Sequence, residues 1–492
     1  MKIAVSYPPL NSDKGVPLLS QNRQFQWFHN PTYIYPMIPA SAAALLAENG
    51  YKVFWDDGIA EGLEYPEWIK RITGTYKPDL IAFETKTPVV KRHWKIVDEL
   101  KMKLPETKVV LMGDHVTAFP EESLKNCKAD YVITGGDYDF SLLELSNYLS
   151  GESGYTEVPE GIYYLKDGVI SRGSKRYLER DLNSIPMIDR DLTFWKLYSE
   201  KNGNFKYLPG TYTMAGRDCW WGRCSFCSWT TLFPGSSFKT VTPTRLLDEI
   251  GILIEKYHVK EIFDDTGCFP KGEWLKEFCK GMIERGYHKR VVMGCNMRVG
   301  ALNQEEWNLM GKANFRFVLI GLESMNQKTL DRLNKGIKVA QIEETMKMAK
   351  RAGLEPHITT MVGYPWETKN DAGETIAFAK RMFEEGWIDS LQATIVIPYP
   401  GTPLFAEARR NGWLLTEDWD RYDMQESVWK SEVGTEEVKV FSQALYKAAL
   451  QPKFIIRKIA RIRSFADFIF LIRAGLKVFG HLKDFARKRE TP

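Results

Sequence analysis

The sequence predicts an α/β fold: a doubly wound parallel sheet, a second strand and helix array, and a helical C-terminal region. Two observations carry this. Short apolar strand-like runs alternate with helix-length stretches through residues 1–150, and again in longer units through 206–410. The chain of 492 residues is also too long for one ordinary core, so two or three domains are expected. Strand, helix, strand in succession means a parallel sheet with helices on its faces.

In chain order, Lys2–Tyr7 reads as the first strand and Pro8-Pro9 as the turn that ends it. A helix over 40–48 stops at Asn49-Gly50, a C-terminal signal. Tyr51–Trp55, Asp79–Phe83, Lys108–Met112 and Tyr131–Thr134 read as further strands, with Val90–Lys101 as a helix among them. In such sheets ligands bind beyond the carboxyl ends of the strands, which brings Pro8, Thr85, Gly113 and Gly135 forward as candidates. Glycines there let backbone approach a bulky ligand. No glycine-rich dinucleotide fingerprint opens the first helix, so a nucleotide-sized ligand and no ligand at all both stay open at this point.

Residues 151–205 are irregular and glycine-punctuated, with a hairpin expected over Tyr163–Val169 around Asp167-Gly168; they read as a connector. From 206 to 410 strands are expected at Tyr207–Met214, Glu261–Asp265, Arg290–Cys295, Phe315–Gly321, Glu355–Val362 and Leu391–Ile397. Helices such as Pro243–Tyr257, Gly272–Arg285 and Ala340–Arg351 lie between them. Six units are too few for a closed eight-unit barrel, although the local physics is the same. Polar residues gather at the strand ends, among them Asp264, Asp265, Asn296, Arg298, Glu323 and Gly363, where barrel-like enzymes concentrate function. Capping of the following helices is the plainer alternative for Asp264, Asp265 and Asn296.

Residues 411–492 read as helical. The net charge of +4 hides an asymmetry: residues 453–492 carry eleven Lys/Arg against three Asp/Glu, a balance of +8. Apolar Phe454, Ile455, Ile459, Ile462, Phe465, Phe468, Ile469, Leu471, Ile472, Leu476, Val478 and Phe479 alternate with Lys453, Arg457, Lys458, Arg461, Arg463, Arg473 and Lys477. A basic amphipathic helix reads as a membrane-surface element; a helix packed on the protein with a solvated basic face is the alternative. The charge sits in this tail and no nucleic-acid module is evident, so no nucleic-acid partner is expected. A start broken by proline, no membrane-length apolar run and an odd cysteine count predict a reducing, cytoplasmic setting.

Three of the seven cysteines fall within nine residues: Cys219, Cys224 and Cys227 in Gly216-Arg217-Asp218-Cys219-Trp220-Trp221-Gly222-Arg223-Cys224-Ser225-Phe226-Cys227. Such a loop can turn three sulfurs toward one centre, either an iron–sulfur cluster or zinc. Structural zinc wants four closed ligands, and no second Cys or His pair follows. A 4Fe–4S cluster with three thiolates leaves one iron open for an exogenous ligand. Buried thiols acting as small hydrophobes remain the bland alternative.

This loop, with Phe226 before its last cysteine, resembles the cluster loop of radical S-adenosylmethionine (radical SAM) enzymes, with four rather than three residues between the first two cysteines. The strand-end segments are similar to those of the family in order and spacing. Residues 1–150 resemble the cobalamin-binding domain that precedes the cluster domain in one radical SAM subgroup, on Gly113–Glu122 and Ala129–Asp137. The Asp-x-His-x-x-Gly signature of a cobalt-ligating histidine is absent, and His115 is not assigned to cobalt.

The resemblance implies a (β/α)6 partial barrel over 206–410 and a 4Fe–4S cluster on Cys219, Cys224 and Cys227. It implies S-adenosylmethionine contacts from Phe226, Asp265, Asn296, Arg298, Glu323 and Gly363, and cobalamin near Pro8, Thr85, Gly113 and Gly135. Cleavage of S-adenosylmethionine to a 5′-deoxyadenosyl radical, followed by methylation of an unactivated carbon in a small-molecule or lipid-like substrate, is the implied reaction. Cyclisation or rearrangement, as in the magnesium-protoporphyrin ester cyclase and hopanoid groups, is the alternative, since fold does not choose between them. A non-catalytic carrier at a membrane surface is a third. A low-potential donor such as a flavodoxin or ferredoxin is the implied electron source.

Overall fold

The computed structural model describes all residues except 11, 19–24, 26, 29–31, 203–204, 236, 438–439, 442–455, 457, 461, 463–466, 474 and 476–492. Lys2–Tyr7 (β1), Lys52–Asp57 (β2), Leu80–Glu84 (β3), Lys108–Met112 (β4) and Tyr131–Ile133 (β5) form a parallel sheet. Its central strands are apolar on both faces, with Ile3, Ala4, Val5 and Leu80 to Phe83 buried, as helices on both sides demand. Met37–Glu48 (α1) packs beside Tyr138–Leu149 (α3), while Val90–Lys103 (α2) joins β3 to β4. Helix α1 is apolar almost all round, and its residues 37–46 are buried.

The hairpin forms at Ile162–Lys166 (β6) and Val169–Arg172 (β7), with Asp167 and Gly168 both left-handed, as a tight two-residue turn requires. It continues the first sheet as an antiparallel edge, giving the order β2-β1-β3-β4-β5-β6-β7. The chain runs outward from β1 to β2 and then crosses to β3 on the other side. The crevice beyond the carboxyl ends of β1 and β3 is therefore the topological switch point, flanked by Pro8 and Thr85.

The second sheet holds six parallel strands in sequential order: Gly210–Thr213 (β8), Glu261–Asp264 (β9), Val292–Met297 (β10), Phe315–Glu323 (β11), Glu355–Val362 (β12) and Ser390–Ile395 (β13). Pro243–Glu255 (α4), Glu273–Glu284 (α5), Gln304–Lys312 (α6), Val339–Arg351 (α7) and Lys369–Glu385 (α8) fill the crossovers. The sequence starts these helices locally: Thr242 caps α4, and Asn303 with Glu306 and Thr368 with Asp371 form capping boxes on α6 and α8. β8 and β13 lie at opposite edges, the open form of a strand and helix barrel.

After the helix Pro403–Arg410, residues 411–433 strap the two sheets together. Trp419 donates its indole N–H to Glu122 at 2.9 Å, Lys91 pairs with Asp418, and Lys14 pairs with Asp423. Farther on, Trp429 donates to the Gly363 carbonyl at 2.9 Å and Ser431 to that of Tyr364 at 3.2 Å.

The described part of the basic tail docks under the second sheet, at the amino ends of its strands. Asp467 pairs with Lys206 at 2.7 Å, Lys458 with Asp389 at 2.9 Å, and Arg473 donates to the Phe205 carbonyl at 3.0 Å. Its polar face thus packs on protein, whereas Ile456, Ile459 and Phe468 stay 65%, 53% and 48% exposed. Phe454, Ile455, Phe465, Leu476, Val478, Phe479, Lys453, Arg457, Arg461, Arg463 and Lys477 lie outside the described residues.

The floor of that sheet is charged. Arg316 on β11 donates to the buried Glu261 on β9 at 3.2 Å and to the half-buried Glu355 on β12 at 2.5 Å. Arg316→Met removes the cation and leaves two facing carboxylates. It should cost about 3–5 kcal/mol, read from denaturant midpoints at pH 7; a loss below about 1 kcal/mol would show the triad to be dispensable.

Candidate active site

The cysteine loop is built on the ends of β8 and β9. The buried Asp264 carboxylate accepts from Thr213 Oγ1 (2.9 Å), the Ala215 amide (2.8 Å) and the Thr266 hydroxyl (2.6 Å). Thr266 Oγ1 in turn accepts from the Gly216 amide at 2.9 Å. Burial pushes the Asp264 carboxyl up to about 6. Asp264 is therefore a brace at the loop entrance. Asp265 is also buried, its amide donating to the Thr213 carbonyl at 2.8 Å. Asn296, on β10, donates its side-chain amide to the Thr266 carbonyl at 2.8 Å.

Within the loop the three thiols are electrostatic neighbours. Burial raises the Cys224 and Cys227 thiols, and each is raised further by the other cysteines. Cys219 is lowered to about 6, first by a hydrogen bond from Cys268, its partner in an isolated β-bridge, against the effect of burial. In the segment Trp220–Arg223, Gly222 is left-handed. Arg298 is wedged over the Trp221 ring at 4.2 Å and the Trp220 ring at 5.4 Å. The Trp221 indole donates to the Asn334 carbonyl at 2.8 Å and its ring lies on Gly336, where a Cβ would come within 2.2 Å of it.

Below the loop lies a pair that sequence reasoning missed in half. Glu323 ends β11 at a register shift with φ +63°, and Lys335 donates to it at 2.6 Å. Both side chains are buried, and Gly321 leaves the room they need: a Cβ there would sit 2.2 Å from Glu323 Oε1. Burial lowers the Lys335 ammonium, but the Glu323 and Cys224 charges outweigh it and leave the pKa raised. Lys335 also lies 5.6 Å from the Phe226 ring, and its carbonyl accepts from Arg298. Lys335 carries no spacing signal, since it follows a short helix rather than a strand.

At the end of β12, Gly363 is left-handed and its amide donates to Glu367 at 2.8 Å. Burial pushes the Glu367 carboxyl up to about 7. Glu367 Oε1 and the Tyr364 hydroxyl are buried without a hydrogen-bond partner, and Tyr364 lies within the fields of Glu323, Glu367 and Cys224. Buried polar atoms without partners mark a place for a polar ligand.

At the switch point, Thr85 and Gly113 meet: a Cβ on Gly113 would sit 2.3 Å from the Thr85 carbonyl oxygen. Thr85 Oγ1 lies 2.6 Å from His93 Nδ1, and burial lowers that imidazole to about 3, so it is neutral. His115 spends both ring nitrogens, on Thr87 and Glu122. Pro8 follows Tyr7, whose hydroxyl donates to the buried Glu84. Gly135 accompanies the joint to the cysteine loop, because the next amide, Gly136, donates to the Leu232 carbonyl at 2.9 Å.

Residues 215–379 match the radical SAM superfamily. This stretch is a radical SAM domain. An uncharacterized methyltransferase of Pyrococcus horikoshii is 28% identical over 422 residues, 85% of this chain and 88% of that protein. Two solved structures share the fold. OxsB, a cobalamin-dependent S-adenosylmethionine radical enzyme solved with aqua-cobalamin and S-adenosylmethionine, gives a TM-score of 0.69 at 13% identity, over 98% of this chain and 71% of its own. TsrM from Kitasatospora setae, a radical S-adenosylmethionine methyltransferase solved with cobalamin and a 4Fe–4S cluster, gives 0.66 at 13% identity, over 98% and 99%.

A radical SAM domain implies a 4Fe–4S cluster and S-adenosylmethionine, and the residues fit both. A lone ion held at about 2.3 Å by each thiolate needs its donors converged on one point, and no such group of three His, Cys, Asp or Glu occurs among the described residues. Three thiols spread around one loop with Arg298 and Lys335 alongside suit a larger, anionic centre. The partnerless Tyr364 hydroxyl and Glu367 oxygen suit a polar ligand beside it. No described helix is long and apolar enough to cross a membrane.

Two outcomes follow. Lys335→Met should cost about 3–5 kcal/mol by stranding Glu323, while Lys335→Met with Glu323→Leu should recover most of it in a denaturation double-mutant cycle; additive losses would deny the pairing. Asp57 and Glu84, at the carboxyl ends of β2 and β3, are pushed up to about 7 by burial. Between the unfolded value near 4 and about 7, the native state keeps protons that the unfolded chain has lost, so stability falls as pH rises through that window. Asp57→Asn should flatten the decline in Tm over pH 4–7; an unchanged slope would place the effect elsewhere.

Proposed function

We propose that this radical SAM enzyme uses cobalamin to methylate an unactivated carbon of a small-molecule or lipid-like substrate. The supporting observation is that the cysteine loop abuts the switch-point sheet, so two cofactor sites share one joint. The names of the Pyrococcus relative and of TsrM favour methylation over cyclisation or rearrangement. Partnerless polar atoms beside the loop argue against a mere carrier.

In this reading Cys219, Cys224 and Cys227 hold the cluster, and Phe226, Asp265, Glu323 and Gly363 line the S-adenosylmethionine site with Lys335 and Tyr364. Asn296 and Arg298 each place one donor on a backbone carbonyl, of Thr266 and Lys335, and turn their remaining polar capacity to the same S-adenosylmethionine site. Pro8, Thr85, Gly113 and Gly135 border the cobalamin crevice. His115 meets protein partners at both ring nitrogens and is not assigned to the corrin. When bound, the cluster supplies the electron that cleaves S-adenosylmethionine, and methylcobalamin supplies the methyl group. The protein's share is to hold both sites in register and keep water out.

The functional units are residues 1–150, 151–205 as connector, 206–410 and 411–492. The enzyme is placed in the cytoplasm, drawing electrons from a flavodoxin or ferredoxin. The exposed Ile456, Ile459 and Phe468 amid basic residues support a reading in which the tail touches an anionic inner-membrane surface.

Anaerobic reconstitution tests the whole reading. Near four irons and one cobalamin per chain, with 5′-deoxyadenosine formed under strong reductant, is the expected result, and Cys224→Ala should lose both the iron and the product. Iron without cobalamin would sink the methylcobalamin route. Removing residues 453–492 should abolish sedimentation with anionic phospholipid vesicles; undiminished binding would end the membrane reading.

A further inference from the structure

One tripeptide, Asp137-Tyr138-Asp139, reaches both sites at once. Tyr138 donates its hydroxyl to Glu84 at the end of β3, at the switch-point crevice. The flanking carboxylates turn the other way, onto Arg217, two residues before Cys219. Arg217 Nη2 donates to Asp139 Oδ2 at 2.7 Å, and Nη1 to Asp139 Oδ1 and Asp137 Oδ1 at 3.0 Å each. Arg217 is 3% exposed and Asp139 0%. Beyond Cys227 the same segment grips the loop again: besides the Gly136 bond to Leu232, a Cβ on Gly136 would lie 2.1 Å from the Phe233 ring. Residues 135–139 therefore hold the cysteine loop at its entrance and its exit.

We propose that Arg217 is a positioning residue: its buried fork onto Asp139 and Asp137 fixes the cysteine loop against the first sheet, and so sets the separation between the cluster site and the switch-point crevice. This rests on the two-cofactor reading above. A planar guanidinium held by two carboxylates permits one orientation, which an apolar contact or a lysine does not enforce. Transfer between two bound groups tolerates little misplacement: an error near 1 Å can cost about 100-fold. The fork is thus suited to registration as well as adhesion.

Arg217→Lys and Gly136→Ala perturb the joint independently, one by charge geometry and one by bulk. On the full-length apo protein, hydrogen exchange should quicken at residues 136 and 229–233 in both variants and elsewhere stay as in the parent. Unchanged exchange at those amides would overturn the proposal. On reconstituted protein, iron content and 5′-deoxyadenosine formation should stay within about twofold of the parent. Methylation of added cob(I)alamin by S-adenosylmethionine, yielding methylcobalamin and S-adenosylhomocysteine, should fall at least tenfold. A proportional fall in both reactions would reduce Arg217 to a support of the loop and overturn the registration role. Phe233→Ala in the Gly136→Ala background should restore the transfer by making room; failure to restore it counts against the joint. If the parent itself forms no methylcobalamin, the two-cofactor reading fails, while exchange still decides whether Arg217 locks the loop.

Discussion

Three thiols have been folded into one half-buried loop, and that is the constraint on which the rest of the site depends. Burial alone drives thiols toward neutrality, and neighbouring thiolates drive them further. The chain answers with cations brought from elsewhere: Arg298 from the end of β10 and Lys335 from the turn before α7. Each needs support of its own, so Trp220 and Trp221 sandwich the guanidinium, and Glu323 holds the ammonium. The segment between Cys219 and Cys224 takes its physical meaning here, because the tryptophans it carries seat Arg298 and rest on Gly336.

A second layer of constraint lies in the backbone. Asp264 gathers Thr213, Ala215 and Thr266 so that β8 and β9 deliver the loop in one register. Its four acceptor positions are consumed by the protein, which is why a buried carboxylate so close to the cysteines serves as a strut. Asn296 does similar work for the turn after β9. Tyr364 and Glu367, each with a buried polar atom that no protein group meets, stand at the end of β12.

Much of this was legible in the sequence. The parallel strands are readable because both faces are buried and the apolar runs are nearly unbroken, and the cysteine loop because its spacing is local. Strand ends such as Glu323 and Gly363 could be found by counting units. Lys335 could not, since its role is set by a contact from a turn back to the end of β11, 12 residues earlier. Nor could the match of Arg217 with Asp139, 78 residues apart. The tail is instructive in another way: alternating apolar and basic residues look alike whether the charges face lipid or protein. Only the Asp389 carboxylate under Lys458 and the Phe205 carbonyl under Arg473 reveal that part of the basic face is already engaged, with apolar side chains turned outward.

The strap over residues 411–433 has a mechanical consequence. It is pinned to the first sheet at Glu122, Lys91 and Lys14 and to the second at Gly363 and Tyr364. Two lobes tied in this way cannot swing apart as a hinge without stretching a tether at both of its anchorages. Yielding of individual loops would admit a bulky guest to the space between them without disturbing either anchorage. The fold resembles a clamped vise with movable pads more than a pair of opening jaws.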